Sequence, residues 1–234
     1  MNNAQQTKVL VLCSGGLDST TLLAQAVKTY GSDSVIALSI YYGQKHDREL
    51  DAATAVTNYY GVPLYTLNLS AIFADSNSSL LRHSNAAVPT ASYADQKEAN
   101  TEDVFVSTYV PFRNGLFLSC AASMALSLGC SKLYYGAHHD DWAGNVYPDC
   151  SLSFVNAMDQ AISEGTAGEL HVVAPFVELS KADIVALGLQ LKVPYDLTWS
   201  CYEGGQTPCG VCGTCIDRQA AFAANGVEDP LIQP

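Results

Sequence analysis

Basic side chains are scarce in this sequence. Eleven Lys and Arg stand against 23 Asp and Glu, which gives a formal net charge of −12. Because such a surface repels phosphate backbones and anionic membranes, we expect neither a nucleic-acid nor a membrane partner. No run approaches the roughly 20 apolar residues of a membrane span, and residues 1–7 lack the apolar core of a signal peptide. We therefore expect a cytoplasmic protein.

Charged residues are also few, at 15% of the chain, whereas hydrophobic residues make up 48%. This balance excludes an intrinsically disordered chain. The 234 residues suit one domain with a substantial core. No internal repeat or boundary is visible, so we predict a single domain over residues 1–234.

Apolar runs alternate with segments of helical periodicity along most of the chain. Strands are predicted at 8–12, 34–42, 63–69, 132–137 and 169–175, and helices at 17–27, 47–60, 114–129, 151–163 and 180–191. Strand–helix–strand order implies right-handed crossovers. The expected fold is α/β, a Rossmann-like doubly wound parallel sheet of about five strands, with ligands at the carboxyl edge.

One long segment does not fit this alternation. Residues 70–108 are rich in Ser, Asn, Ala and Thr and carry only short apolar patches. Structureless inserts of this length are usually functional or disordered. We therefore predict a lid or substrate loop here rather than a linker.

The turn between the first strand and first helix is predicted to bind ATP. Gly15 and Gly16 allow close backbone approach, and the helix start adds positive charge. No lysine follows as in a Walker loop; Asp18 suits a Mg²⁺ ion that bridges it to phosphates. The alternative is a turn whose glycines serve only packing. The predicted ATP-binding residues are Cys13, Ser14, Gly15, Gly16, Leu17, Asp18, Ser19, Thr20 and Thr21.

Four of the eight cysteines cluster near the C-terminus. They are Cys201, Cys209, Cys212 and Cys215, in the spacing C-x7-C-x2-C-x2-C. Four thiolates around tetrahedral Zn²⁺ make a closed structural site, and free thiols or two disulfides are the alternatives. We expect the metal to contribute folding energy and to tie the segment at about 195–234 to the domain.

Two basic side chains lie near predicted helix starts. Arg113 opposes the helix dipole there, which favours a bound anion; the alternative is a surface or ion-paired arginine. Lys181 follows the predicted cap Ser180, and either contacts a phosphate or is solvated.

Polar residues follow the second and fourth predicted strands. Gln44 and His46 offer hydrogen bonds to a nucleotide or heterocycle, with capping or packing as the alternative for the histidine. The segment 138–141, His-His-Asp-Asp, is interpreted as a substrate-facing loop rather than a metal site.

Together these motifs resemble a known family. Ser-Gly-Gly-Leu-Asp-Ser at 14–19 resembles the pyrophosphate loop of the N-type ATP pyrophosphatases. With five further motifs and the four cysteines, nearly the whole chain resembles the 7-cyano-7-deazaguanine synthases of queuosine biosynthesis. The further motifs are Tyr-Gly-Gln-Lys-His at 42–46, Val-Pro-Phe-Arg-Asn at 110–114, Tyr-Pro-Asp-Cys at 147–150, Leu-Ser-Lys-Ala at 179–182 and Thr-Trp-Ser-Cys-Tyr at 198–202.

The resemblance implies a fold of the adenine nucleotide alpha hydrolase type and an ATP-dependent carbon–nitrogen ligase. The enzyme would convert 7-carboxy-7-deazaguanine and ammonia to the nitrile by adenylating first the carboxylate and then the amide. The implied catalytic residues are Asp18, Arg113 and Lys181. The implied substrate-binding residues are Gln44, His46, Arg113, Asn114 and Asp149. A homodimer is expected on the same basis.

Two departures from the family lie where the deazaguanine should be recognised. Ser151 follows Tyr-Pro-Asp-Cys where family members commonly carry arginine, and residues 138–146 differ from the usual form. Two other functions therefore stay open. One is a related adenylating enzyme that acts on a different acceptor, such as an enzyme that attaches deazaguanine in a defence system. The other is a nucleotide sensor that is stabilised by the zinc site and does not catalyse a reaction.

Overall fold

The computed structural model describes residues 7–92, 95–96, 105–143 and 146–232. Within these ranges, five strands form one parallel sheet in the order β3-β2-β1-β4-β5. Their bounds are β1 Val9–Leu12, β2 Val35–Tyr41, β3 Leu64–Asn68, β4 Lys132–Tyr134 and β5 His171–Val173. The predicted parallel sheet is confirmed, and its order reverses direction beside β1.

Helices connect the strands as predicted, with two additions. They are α1 Leu17–Tyr30, α2 Arg48–Tyr60, α3 Arg113–Ser127, α4 His139–Trp142, α5 Leu152–Gly165, α6 Lys181–Leu191 and α7 Gly213–Ala224. The sequence reasoning missed α4 because one turn shows no period, and it missed α7 because the cysteines interrupt the pattern. Within the described ranges, none of these helices has the length and apolarity that a membrane crossing demands.

Helices cover both faces of the sheet, so the doubly wound architecture is confirmed. On one face Leu10 of β1 packs in a core with Leu118 of α3, and α5 joins the same core. On the other face Val9 and Val11 pack with Leu22 of α1 and with residues of α2, α6 and α7. Consecutive β1 residues point to opposite faces, which explains why the strand is an unbroken apolar run.

Two serines define the helix starts that matter for the site. The hydroxyl of Ser180 accepts a hydrogen bond from the amide of Asp183, whose carboxylate accepts from the Ser180 amide in return. This capping box confirms the predicted start of α6 and places Lys181 in its first turn. The hydroxyl of Ser151 accepts a hydrogen bond from the Phe154 amide at 3.2 Å and so caps the N-terminus of α5. This departure from the family pattern therefore has a structural role at the start of that helix.

The described part of the 70–108 insert packs onto the loop after β2. Leu80 and Leu81 are buried. The Lys45 amide donates to the Leu80 carbonyl at 3.0 Å, and the Arg82 amide donates to the Gly43 carbonyl at 2.8 Å. Residues 93–94 and 97–104 lie outside the described residues. The role of the insert as a lid stays a prediction.

Candidate functional site

A cavity of about 250 Å³ opens at the carboxyl edge of the sheet. Residues that follow β1, β2 and β4 line it, together with side chains from α1, α2, α3 and α6 and from the C-terminal segment. Ligands of doubly wound sheets bind where the strand order reverses, and β1 and β4 flank that point here. The cavity is therefore the candidate active site.

The loop after β1 packs closely against the backbone of α2 and is held by hydrogen bonds within the loop. Gly15 has φ +82°, and a Cβ atom there would overlap the backbone amide of Ala53 in α2. The Ser14 amide donates to the Ser19 hydroxyl at 3.2 Å, and the Gly16 amide donates to the Ser14 hydroxyl at 3.3 Å. Gly16 is the N-cap of α1, so the loop presents a helix N-terminus, which favours an anion.

The predicted ATP-binding residues divide into two groups. Those that line the cavity are Cys13, Ser14, Gly16, Leu17, Asp18 and Ser19. Gly15, Thr20 and Thr21 lie outside that lining, and both threonines are fully buried. The Thr21 hydroxyl donates to the Leu17 carbonyl at 2.9 Å and lies 2.9 Å from the Tyr195 hydroxyl. Direct nucleotide contact by these two threonines stays a prediction.

Cys13 lines the cavity without the properties of a nucleophile. Burial raises the pKa of its thiol to about 11, although the Gly15 amide and Ser19 hydroxyl act in the opposite direction. The reactive form of cysteine is the thiolate. Cys13 therefore stays neutral near pH 7 and packs in the wall.

Asp18 is the centre of a group of charged side chains. Its Oδ2 lies 3.6 Å from His138 Nε2 and 3.9 Å from Lys181 Nζ. Burial by itself raises the pKa of Asp18, but Lys181 and His138 outweigh it and hold this pKa well below its usual range. Its Oδ1 is buried and has no hydrogen-bond partner in the described part of the chain. Asp18 thus offers an ionised oxygen without a protein partner.

His138 and Asp141 extend this group. His138 is 2% exposed, and its Nε2 lies 3.3 Å from an Asp141 oxygen. Burial lowers the pKa of His138, but Asp141 and Asp18 outweigh it and raise that pKa overall. The carboxylates of Asp18 and Asp141 both line the cavity. The sequence reasoning placed 138–141 in a polar loop without assigning these roles; their position directly after β4 is the signal.

Lys181 is a buried cation beside these carboxylates. It is 7% exposed, and its amide donates to an Asp140 oxygen at 2.8 Å. Burial lowers the pKa of its ammonium group, but Asp18 and Asp141 outweigh it, so the pKa is raised overall. Lys181 therefore stays charged in the cavity wall; its contact with a phosphate stays a prediction.

Arg113 lines the cavity among aromatic rings. Its guanidinium carbon lies 5.1 Å from the Tyr42 ring centroid and 5.9 Å from that of Phe117. Its Nη1 donates to the Tyr42 hydroxyl at 3.3 Å. None of the ion pairs formed among the described residues includes Arg113. Its charge is therefore available to an anionic ligand.

Asn114 and Asp149 meet at the start of α3. The Asn114 amide donates to Asp149 Oδ2 at 3.0 Å, and the Asn114 side chain donates to Cys150 Sγ at 3.3 Å. Asn114 and Cys150 line the cavity, whereas Asp149 lies behind them. Contact of Asp149 with a substrate stays a prediction; its observed contact supports α3.

Gln44 and Glu49 form a polar pair in the wall nearest Arg113. Gln44 is buried, its Oε1 accepts from the Tyr42 amide at 2.9 Å, and its side chain lies near enough to Glu49 to lower the pKa of that carboxyl group. Burial raises the pKa of Glu49 to about 7, although Arg113 and Gln44 act in the opposite direction. Glu49 was missed from the sequence. The available signal was an acid in the first turn of the helix that follows β2.

His46 lies outside the cavity lining. Its ring meets the Trp199 ring edge-on at a centroid distance of 6.5 Å, and burial lowers its pKa although a contact with Cys201 raises it. The histidine packs against the C-terminal segment, so its role in binding substrate stays a prediction.

The four C-terminal cysteines converge as predicted. Their sulfur atoms all lie within 4.8 Å of one another, and Cys209 and Cys215 are 4.0 Å apart. Tetrahedral Zn²⁺ with Zn–S bonds of about 2.3 Å places its sulfurs about 3.8 Å apart. The Cys209 amide donates to Cys201 Sγ and the Cys212 amide to Cys209 Sγ, each at 3.3 Å. All four thiols are free of disulfides, so this cluster is a metal-binding site that fits zinc.

The cysteine segment also supplies part of the cavity wall. The Trp199 amide donates to the Gly15 carbonyl at 2.9 Å, and Thr214 Oγ1 donates to the Ser200 carbonyl at 2.8 Å. The side of the cavity formed by Trp199, Ser200, Tyr202 and Thr214 is called the C-terminal wall below. The sequence reasoning assigned the cysteines but not this contribution.

Comparisons with known proteins identify the family of this chain. The family described as Queuosine biosynthesis protein QueC matches residues 8–226. The 7-cyano-7-deazaguanine synthase of Archaeoglobus fulgidus is 44% identical over 226 residues, which cover 96% of this chain and 90% of the relative. That of Caldicellulosiruptor bescii is 43% identical over 224 residues, covering 96% of each chain. The structure of NMN synthetase from Francisella tularensis shares the fold, with TM-score 0.52, 15% identity and coverage of 97% of this chain and 80% of that one. The chain therefore belongs to the Queuosine biosynthesis protein QueC family.

Proposed function

We propose that this protein converts 7-carboxy-7-deazaguanine and ammonia to 7-cyano-7-deazaguanine in queuosine precursor biosynthesis, with ATP as the activating substrate. One observation carries the proposal: the glycine loop with Lys181 and the guanidinium of Arg113 line the same cavity. These groups suit a ligand with two anionic parts, a nucleotide phosphate and a carboxylate. The names of the curated relatives support the product.

Two adenylations account for the conversion. In the first, a substrate carboxylate oxygen attacks the α-phosphorus of ATP, so that pyrophosphate leaves and an acyl adenylate forms. Ammonia then adds to the acyl carbon, AMP leaves, and the amide forms with loss of one proton. In the second, the amide oxygen attacks another ATP and pyrophosphate leaves. Loss of AMP and of the nitrogen-bound protons then gives the nitrile.

The protein contributes orientation and charge to these steps. Backbone amides at the start of α1 and the Lys181 ammonium bind phosphate oxygens, and Arg113 binds the substrate carboxylate until it is adenylated. Cys13 has its pKa raised to about 11 by burial, and burial also raises the pKa of Cys150. We therefore assign no covalent step to these cysteines.

Two metals fit the described residues. The unpartnered Oδ1 of Asp18, with Asp141 lining the same cavity, offers the oxygen ligands that Mg²⁺ prefers. Bound there with ATP, Mg²⁺ would neutralise phosphate charge. The four-cysteine cluster would hold Zn²⁺ in a structural role, because four thiolates leave no open position. We also propose a cytoplasmic homodimer without nucleic-acid partners, the last on the basis of the net charge of −12.

The direct test combines the purified protein with Mg·ATP, ammonium and 7-carboxy-7-deazaguanine. We expect AMP, pyrophosphate and, by mass spectrometry, the nitrile. Asp18→Asn should lower AMP formation by about 10²- to 10³-fold, the size of effect seen when one group that stabilises transition-state charge is removed. Asp33→Asn, an exposed acid elsewhere, is the matched control and should match the wild type.

Three results would contradict the proposal. AMP that forms only with another acceptor would indicate a relative with different specificity. Nucleotide binding without any AMP would indicate a sensor. Full activity of Asp18→Asn would exclude the assigned role of the loop carboxylate.

A further inference from the structure

Glu49 is a carboxylate in the cavity wall to which the reaction above assigns no role. It lies in the first turn of α2, and Tyr42, Gln44 and Arg113 line the cavity with it. An acid near a helix N-terminus is favoured by the dipole, but that alone does not explain why its side chain contributes to a ligand cavity. Asp51 of the same turn is exposed. The chain therefore places one of two neighbouring acids in the site.

The orientation of Gln44 is set by the backbone. Its Oε1 accepts from the Tyr42 amide at 2.9 Å, which leaves its amide nitrogen as the group that can act on Glu49, whose pKa the Gln44 side chain lowers. Gln44 is only 6% exposed. Its contacts make it a positioning residue for the Glu49 carboxylate.

The remaining acceptor capacity of Glu49 suits a ligand with adjacent N–H donors. A carboxylate has about four lone-pair sites, and a bond from Gln44 would use one. Deazaguanine carries a ring N–H beside an exocyclic amine, and two parallel N–H groups match a carboxylate in a bidentate manner. Arg113 lies near enough to Glu49 to act on its charge, so the wall presents one anion and one cation to a ligand with complementary groups.

The rings beside these charges favour a flat ligand. Tyr42 and Phe117 line the cavity, with their centroids 5.7 Å apart. Planar heterocycles pack well on aromatic side chains. Glu49, Arg113 and the two rings thus provide an acceptor, a cation and an apolar surface in one part of the cavity.

We propose that Glu49 is the specificity-determining residue that binds the aminopyrimidinone edge of the substrate, with Gln44 positioning its carboxylate. The inference rests on the function proposed above. The inference assigns recognition of the base to a particular side chain. Neither the sequence motifs nor the comparisons identify that side chain.

The proposal has a pH signature. The groups that face Glu49 are Arg113 from α3, the Tyr42 hydroxyl after β2 and the Gln44 amide. Burial raises the pKa of Glu49 to about 7, and donors of the base need the ionised form. The KM for the deazaguanine should therefore rise as pH falls below about 7, by up to about tenfold per pH unit. The KM for ATP should not follow this profile.

The test is Glu49→Gln, compared with Asp51→Asn on the same helix. For Glu49→Gln we expect the KM for 7-carboxy-7-deazaguanine to rise about 10- to 100-fold, as for loss of hydrogen bonds to a charged group. Its pH dependence near 7 should disappear. Asp51→Asn should retain both properties. Glu49→Asp shortens the side chain by one methylene group but keeps a carboxylate. It should therefore raise the KM for 7-carboxy-7-deazaguanine, and this KM should still depend on pH.

Binding of 7-cyano-7-deazaguanine separates this inference from the proposed reaction. Titration calorimetry should show weaker binding to Glu49→Gln than to the wild type, whether or not turnover occurs. If the wild type makes no nitrile but still binds this compound more tightly than the variant, only the proposed reaction fails. Equal affinity of the two proteins, or an unchanged KM and pH profile in Glu49→Gln, would overturn the role of Glu49.

Discussion

The two sides of the cavity are built in different ways. The sheet-edge wall comprises Cys13, Ser14, Tyr42, Gln44 and residues 16–19 and 135–137, which lie in the loops after β1, β2 and β4 and in the first turn of α1. The C-terminal wall does not directly follow any strand of the described residues. A cysteine cluster and a buried ion pair hold it instead.

Arg218 of α7 is the centre of that second support. It is 3% exposed, donates to both Asp229 oxygens at 2.7 and 3.0 Å, and also donates to Thr198 Oγ1 at 2.8 Å. It thereby connects α7 with the segment just before Trp199. A sheet edge positions its residues through the register of the strands, whereas the C-terminal wall is positioned by the cysteine cluster and by the contacts of Arg218.

Removal of the metal should produce the largest difference between the walls. Structural zinc contributes roughly 10 kcal/mol or more of apparent binding energy, so a chelator should loosen residues 195–224 while β1 and α1 keep their sheet contacts. Hydrogen exchange by mass spectrometry measures this, with elemental analysis expected to give one zinc per chain. Cys212→Ser should resemble the chelated protein, and Cys120→Ser, outside the cluster, should resemble the wild type. Equal exchange in both walls would contradict the comparison.

Breaking the buried ion pair should have the next largest effect. Asp229→Asn leaves the Arg218 guanidinium buried without its carboxylate partner. We expect the free energy of unfolding to fall by about 3–5 kcal/mol, measured by urea denaturation. Glu228→Gln changes the exposed neighbouring acid and should cost under about 0.5 kcal/mol. If the two variants were equally stable, Arg218 would not support the C-terminal wall.

A smaller effect is expected where the C-terminal segment meets α1. A Cβ atom at Gly188 of α6 would overlap the Tyr195 hydroxyl, which lies 2.9 Å from Thr21 Oγ1. Gly188→Ala should therefore destabilise the protein by about 1–3 kcal/mol through overpacking, seen as a lower Tm. Gly165→Ala, at the end of α5 with open space around it, gains helix propensity. A higher Tm for both variants would refute the tight contact.

The sequence reasoning succeeded where neighbours in the chain are neighbours in space. Gly15 lies at the end of a strand and the start of a helix, so its loop could be recognised from consecutive residues. Cys209, Cys212 and Cys215 have only two residues between each cysteine and the next, and this spacing alone indicated a shared ion. The capping box at Ser180 is local for the same reason.

The sequence did not reveal the roles of residues whose partners are far away in the chain. Glu49 and His46 are three positions apart, yet one lines the cavity and the other packs against Trp199. His138 follows β4 closely, but its importance comes from its contact with Asp18. No periodicity distinguishes such positions, since helix packing chooses between them.

The amino-acid order alone therefore encodes the strand–loop–helix unit and the cysteine site, because both are short-range patterns with direct chemical meaning. Folding decides which charges meet. Asp18 has its pKa held well below the usual range by Lys181 and His138, while burial raises that of Glu49 to about 7. The two carboxyl groups are similar in isolation, and only the surroundings that the tertiary structure creates make them different.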